Sequence, residues 1–398
     1  MPPPGWFPDN FLFGSASAAH QIEGANTNTD WWAFEHDPAS GCRDVSGDAC
    51  DSWHRWDEDL DFVAALGLNS YRFSVEWARI EPAPGEFSVA ALAHYRRIVE
   101  GCLARGLVPV VTLHHFTLPA WMAERGGVES PELASRLGDY AAQVAASMGD
   151  VIGLACTINE PNIVALMGYL LGVFPPAVRD RDRFERVSAN LRASHHSMVE
   201  ALRAGPGTYP IGLTLSMHEM EAAPGGEVQL ARAVEHLEDA YLRDLGGDDF
   251  IGVQTYTRLR FGPDGPVDIP EGASRTKMGY EYRPEAVEHT VRRAAATSGL
   301  PVLVTETGIS TDDDDVRISF VNTVVTGVAT CIADGLDVRG LYYWTLLDNF
   351  EWALGYSQPF GLVACDRVTF ERTPKPSAAH FGQIASMGHP PSGTHAAR

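Results

Sequence analysis

Positive charge is scarce in this chain. Its 398 residues carry 30 Lys and Arg against 52 Asp and Glu, a formal charge of −22, and no basic cluster could follow a line of phosphates. Nucleic acid and anionic membrane are therefore not expected partners, and the acidity reads as a well-solvated surface. Cysteine is sparse too: six residues scattered over this length are too thin for a disulfide framework and read as buried or free thiols, and Cys42 and Cys50, although near enough in sequence to pair, read as reduced as well. The opening "MPPPGWFPDN" has no basic stretch followed by an apolar one, so no secretory signal is visible and a cytoplasmic protein is expected. No span reads as long and apolar enough to cross a bilayer. Neither CxxC nor HExxH spacing occurs, and no third ligand stands near His114 and His115, so no metal is expected. The first strand-like segment, "FLFGSAS", lacks the GxGxxG turn of dinucleotide-binding folds.

What is present is alternation. Eight short segments rich in Val, Ile, Leu and Tyr read as strands: "FLFGSASA", "SYRFSVEW", "VPVVTLHH", "LACTINEP", "YPIGLTLSM", "DFIGVQTYT", "PVLVTETG" and "VRGLYYWTLLD". Stretches of helical periodicity separate them, among them "VAALAHYRRIVEGCLARGL", "SPELASRLGDYAAQVAASMGD" and "DDDDVRISFVNTVVTGVATCIADGL". Several open with Ser, Asp or Pro and close near Gly. Eight strand–helix repeats imply an α/β fold, a single (β/α)8 TIM barrel with the active site at the C-terminal ends of the strands. The chain is 45% hydrophobic, no Ser/Pro/Gly linker divides it, "FGPDGPVDIPEGASRTKMG" reads as a loop or lid, and the last ~10 residues read as a flexible tail.

Several of these apolar strands end in polar residues. Gln21 follows strand one, Arg72 and Glu76 occupy strand two, His114 and His115 end strand three, Asn159 and Glu160 strand four, Glu306 strand seven, and Asp348 and Glu351 follow strand eight. In a barrel these ends converge on one pocket. Glu160 of "TINEPN" and Glu306 of "VTETG" would be costly as unpaired buried charges. As a pair they are equipped for glycoside hydrolysis, one as a protonated acid and one as an ionised carboxylate. Burial next to Asn159 and Pro161 should raise the pKa of Glu160, while Arg72 should lower that of Glu306. Trp344 and Trp352 offer flat faces to a pyranose, and Glu351 can accept two hydroxyl hydrogens. One member of the His pair is expected to be structural.

These residues resemble glycoside hydrolase family 1, the retaining β-glucosidase-like enzymes, in the order "FLFGSASAAHQIEG", "YRFSVEWARIEP", "TLHHFTLPAW", "TINEPN", "VTETG" and "YYWTLLDNFEWALGYSQPFGLVACD". The resemblance implies Glu160 as acid/base, Glu306 as nucleophile, and Arg72 and Tyr256 as the pair that positions and tunes it. It implies Gln21, His115, Asn159, Glu351, Trp352 and Phe360 as sugar-binding residues and Trp344 as the platform under the ring. The substrate implied is a small-molecule β-glycoside, a β-glucoside first, with no cofactor. Departures from the family pattern fall at Phe116, Ser216 and Tyr280 on the leaving-group side, at Gln254 and Thr255 before Tyr256, and at Thr307. A 6-phospho-β-glycosidase would want Ser and basic residues near position 351, and a non-catalytic sugar-binding relative would have lost a catalytic glutamate.

Overall fold

The computed structural model describes residues 6–388; the expected tail at the C-terminus lies outside the described residues. Eight parallel strands close into a barrel in the order β1-β8-β7-β6-β5-β4-β3-β2. They are β1 (Leu12–Ala16), β2 (Ser70–Ser74), β3 (Val108–His114), β4 (Leu154–Asn159), β5 (Ile211–Ser216), β6 (Phe250–Gln254), β7 (Val302–Thr307) and β8 (Val338–Trp344). Each lies within one of the eight segments read from the sequence, because strands buried on both faces must be short and almost continuously apolar. Register shifts interrupt the pairing near the C-terminal ends of β4 and β7, between Cys156 and Asn159 and between Val304 and Glu306.

A helix follows each strand: α1 (Ser52–Ala65), α2 (Val89–Ala104), α3 (Leu133–Met148), α4 (Arg181–Ala204), α5 (Glu227–Val234), α6 (Ala286–Ser298), α7 (Asp314–Ala333) and α8 (Pro376–Gly388). Side-chain caps start several of them: Ser88 accepts from Ala91 N at α2, and Asp313 from Asp315 N at α7, each satisfying an amide that the helix cannot. On α3 the buried Leu137, Tyr140, Val144 and Met148 form one face, and the Tyr140 hydroxyl donates to Leu113 O of β3 at 2.8 Å. Each such fully buried side chain contributes about 1.5–3 kcal/mol.

Two cores result. The larger lies between the strands and the helices. The smaller, with Ala16, Val110, Cys156, Phe250, Leu303 and Tyr342, fills the inside of the barrel, where the Tyr342 hydroxyl meets Ser70 Oγ at 2.7 Å. Gly14 makes room for this ring, since a Cβ there would lie 2.4 Å from it.

Two expectations are corrected here. Helix α7 is long and apolar enough by length and composition to cross a membrane, with mean hydropathy 1.5 over its 18-residue window. It nevertheless packs on α6, α8 and β8 and buries Phe320, Val321, Val324, Val325 and Val328, as a barrel helix must. The segment after strand six is not wholly loop: Arg258–Gly262 pairs in parallel with Glu219–Ala222 and turns back on Gly265–Pro266, building a small three-stranded sheet. Ion pairs from Arg258 to Glu221 and Glu281 fasten it. The thiols are as read from the sequence: Cys42 and Cys50 are free, and the thiol beside Cys50 is that of Cys365.

Candidate active site

The C-terminal ends of the strands and the loops beyond them enclose a cavity of about 610 Å³. Its lining includes His115, Asn159, Glu160, Tyr256, Glu306, Trp344, Glu351, Trp352 and Phe360, together with Phe116, Ser216 and Tyr280. All of these were singled out from the sequence. Five of the polar strand ends are not in that lining. Arg72 is fully buried and donates to Glu306 and Asn159 of the lining. Gln21 lies behind Glu351, its Nε2 donating to Phe350 O at 2.8 Å and to the Glu351 carboxylate at 3.4 Å. Glu76 instead caps the helix Trp77–Ile80 and accepts from Asn26 and Thr117. Asp348 accepts from Lys375 and Gly361 N. His114 is buried away from the cavity, and burial pulls its pKa down to about 4; it is the structural member of the pair.

Of the three cavity carboxylates, Glu306 accepts the shortest hydrogen bonds, from Arg72 and Tyr256. Arg72 Nη1 donates to its Oε1 at 2.6 Å and the Tyr256 hydroxyl to its Oε2 at 2.7 Å. The guanidinium's other arm, Nη2, donates to Asn159 Oδ1 at 2.6 Å, so one buried arginine fixes β2, β4 and β7 to one another. Gly308 follows because a Cβ there would stand 2.0 Å from Trp344 O; this close approach carries β7 past the end of β8. The pKa of Glu306 departs from expectation. Burial raises it, and the opposing Arg72 charge and the hydrogen bonds from Tyr256 and Arg72 do not bring it back to the ordinary value. A group withdrawn from water loses more than one cation restores.

Glu160 holds a different position. Its backbone lies in the left-handed region at φ 45°, its N–H donates to Thr214 O at 2.9 Å, and Pro161 opens the next helix, a residue suited to a first helical turn. Left-handed backbone costs a non-glycine residue about 1–3 kcal/mol and concentrates at functional sites; Phe116 at 71° and Trp352 at 49° share it in the same cavity. Burial first, then the Glu306 charge, push the pKa of Glu160 well above the carboxylate range, against a hydrogen bond from Ser216. Ser216, expected on the leaving-group side, is thus a partner of Glu160 itself. Both glutamates are pushed upward by burial, but Glu306 alone is held by an arginine and a tyrosine at 2.6 and 2.7 Å.

Asn159 sets the state of His115. Its Oδ1 accepts from Arg72, Gln254 and Thr214, so its Nδ2 is the donor to His115 Nε2 at 3.2 Å. That bond assigns the imidazole proton to Nδ1, which has no partner among the described residues. Burial and the Arg72 charge keep the ring neutral, its pKa well below the ordinary value. The ring lies nearly parallel to Trp344 and Trp352, with interplanar angles of 16° and 12°. Glu351 completes the group, its pKa raised by burial and by the Glu306 charge to about 8.

Sequence reasoning missed several residues that close the cavity: Arg43 from the loop before α1, Ile163 and Met167 from the helical segment Pro161–Leu170 and Phe174 after it, His218 beyond β5 and Met278 beyond β6. Single residues in loops and in one short helix carry no period and no motif, so only their placement reveals them.

The family model for glycosyl hydrolase family 1 matches residues 4–252 and 267–389; the break between them takes in Tyr256 and most of the small sheet. Beta-glucosidase A of Thermotoga maritima is 30% identical over 433 aligned positions, covering 95% of this chain and 97% of that protein. Those positions outnumber the 398 residues here, so the relative carries insertions. The bifunctional beta-D-glucosidase/beta-D-fucosidase of Bifidobacterium breve is 33% identical, covering 93% of this chain and 96% of the relative. Among solved structures, that of beta-glycosidase BGL167 superposes with a TM-score of 0.94 at 43% identity, covering 99% of this chain and all of the other. The chain belongs to glycosyl hydrolase family 1.

Proposed function

We propose that the chain is a retaining β-glucosidase with Glu306 as nucleophile and Glu160 as acid/base. The observation that carries this reading is the unequal treatment of two buried carboxylates in one cavity. Two donors at 2.6 and 2.7 Å favour the charged form of Glu306, while Glu160 is driven toward its protonated form. In the first step a Glu306 oxygen bonds to the anomeric carbon, the glycosidic C–O bond breaks, and the Glu160 proton goes to the departing oxygen. In the second, Glu160, now ionised, takes a proton from water, whose oxygen bonds to the same carbon and releases Glu306. Arg72 and Tyr256 position Glu306 throughout. Trp344 lies under the ring, and His115 Nδ1–H, Asn159, Gln21, Glu351 and Trp352 serve the sugar's hydroxyls, with Phe360 beside Tyr256. Glucosides are the first substrates, with tolerance for β-galactosides and β-fucosides. A proton NMR time course on an aryl β-glucoside should show β-glucose appearing before its α-anomer; α-glucose appearing first would refute retention.

Two variants test the tuning. Tyr256→Phe removes a donor that lowers the pKa of Glu306. Since the nucleophile must be ionised, the acidic limb of the kcat/KM profile should move to higher pH, by about one unit. Glu351→Gln should cost about 2–4 kcal/mol of transition-state binding, read from kcat/KM. The same change should stabilise the fold at alkaline pH. Glu351 is held at about 8 against an ordinary 4.5, so between these values the folded state binds a proton that the unfolded state lacks. Stability accordingly falls as pH rises through that window. Replacing the group should gain about 1–3 kcal/mol at pH 8.5 and nothing at pH 4, read from unfolding curves at both.

A further inference from the structure

Beyond its carboxylates and tryptophans the cavity is lined largely by apolar side chains, including Ile163, Met167, Phe174, Met278 and Leu354. Arg43 is the only Arg or Lys in that lining. It is exposed, and its backbone is fixed, the N–H donating to Ala353 O at 3.0 Å. The guanidinium makes one long hydrogen bond, Nη1 to Ser357 Oγ at 3.4 Å, and no ion pair among the described residues. The neighbouring Asp44 is turned to Tyr356 N, at 3.1 Å. In a chain of net charge −22, with three carboxylates in the same cavity, a cation left without a carboxylate is the one local attraction for a negative group. Beyond about 8–10 Å the surrounding negative field is screened at ordinary salt, so a contact at Arg43 can prevail locally.

We propose that Arg43 is a specificity-determining residue that recognises a carboxylate at the far end of an apolar aglycone. This rests on the β-glucosidase reading above. The apolar lining takes the body of the leaving group, and the charge of Glu306, the cavity carboxylate whose ionised form Arg72 and Tyr256 favour, penalises an anion set close to the scissile bond. The preferred aglycone is therefore an aromatic or alkyl spacer that sets its anion apart from the reacting centre.

The test compares the phenolic β-glucoside of 3-(4-hydroxyphenyl)propionate with that of its primary amide. Two methylenes insulate the phenol, so the leaving groups are matched and only the remote charge differs. Wild-type enzyme should favour the carboxylate by roughly threefold to tenfold in kcat/KM, mainly through KM, and the preference should shrink as salt is added. Arg43→Gln should bring the ratio to near unity through loss on the carboxylate substrate, and Arg43→Lys should keep part of it. Equal or faster hydrolysis of the amide by wild type, or a preference that survives Arg43→Gln, would overturn the proposal. So would an Arg43-dependent preference for 4-nitrophenyl 6-phosphoglucoside over the unphosphorylated glucoside, which would place the anion on the sugar. Hydrolysis of neither phenolic glucoside would instead sink the β-glucosidase reading, whereas hydrolysis of both without discrimination would sink Arg43 alone.

Discussion

Glu306→Gln should lose at least about four orders of magnitude in kcat on every β-glucoside, because a nucleophile acting within a concerted set takes most of the rate with it when removed. The fold should survive. The amide keeps the shape and one acceptor for Arg72 Nη1, now 2.6 Å from Oε1. What is lost is the charge that Arg72 and Tyr256 are arranged to hold. In Glu306→Gly, which leaves the space of the side chain open, azide should restore part of the turnover as an α-glucosyl azide, since a small anion entering on the nucleophile's side displaces the aglycone once and inverts the centre. Wild-type-like rates in Glu306→Gln, with the protein shown by mass to be free of reversion, would remove Glu306 from the chemistry.

Glu160→Ala should behave differently. Its loss withholds a proton from the departing oxygen, which matters little for an activated phenol and greatly for an alkyl alcohol. Formation of the glycosyl-enzyme should be nearly preserved with dinitrophenyl glucosides and reduced about 10²–10⁴-fold with alkyl glucosides. Azide should rescue the second step with a β-glucosyl azide, two inversions having occurred. The alkaline limb of the wild-type profile, set by Glu160 through a pKa that burial holds well above the carboxylate range, should vanish with the activated substrates. Equal losses across leaving groups would show that the residue orients the sugar instead.

The barrel was legible because its signal is local and repeated. Eight short apolar strands separated by capped, periodic helices leave few alternatives, and Glu160 and Glu306 stood out as charges at the ends of apolar strands. Where the reading failed, the reason was non-local. Glu76 and Asp348 end strands as Glu160 and Glu306 do, yet their carboxylates serve a helix cap and Lys375; the partners lie far off in sequence or in a turn that the pattern does not fix. His114 and His115 are adjacent and chemically identical, so the pattern of the residues alone does not separate them; the family resemblance singled out His115, and it is His115 that lines the cavity. The sheet joining Glu219–Ala222 to Arg258–Gly262 pairs segments some 40 residues apart, held by ion pairs that no periodicity announces. Arg72 was read correctly as the partner of Glu306, but the net direction of the pKa was not, since burial of the whole site outweighs one cation. Helix α7 failed the other way: its composition suits a bilayer as well as a barrel flank, and contact with α6 and α8 decides between them.

A covalent intermediate on Glu306 is the centre of this account, and trapping it is the direct measurement. A 2-deoxy-2-fluoro-β-glucoside with a dinitrophenolate leaving group should inactivate the enzyme with release of one phenolate per chain, since fluorine slows the second step more than the activated first. Peptide mapping of the labelled protein should place the fluoroglucosyl ester on Glu306, within "PVLVTETG". A label on Glu160 or elsewhere, or steady hydrolysis with no adduct, would contradict it.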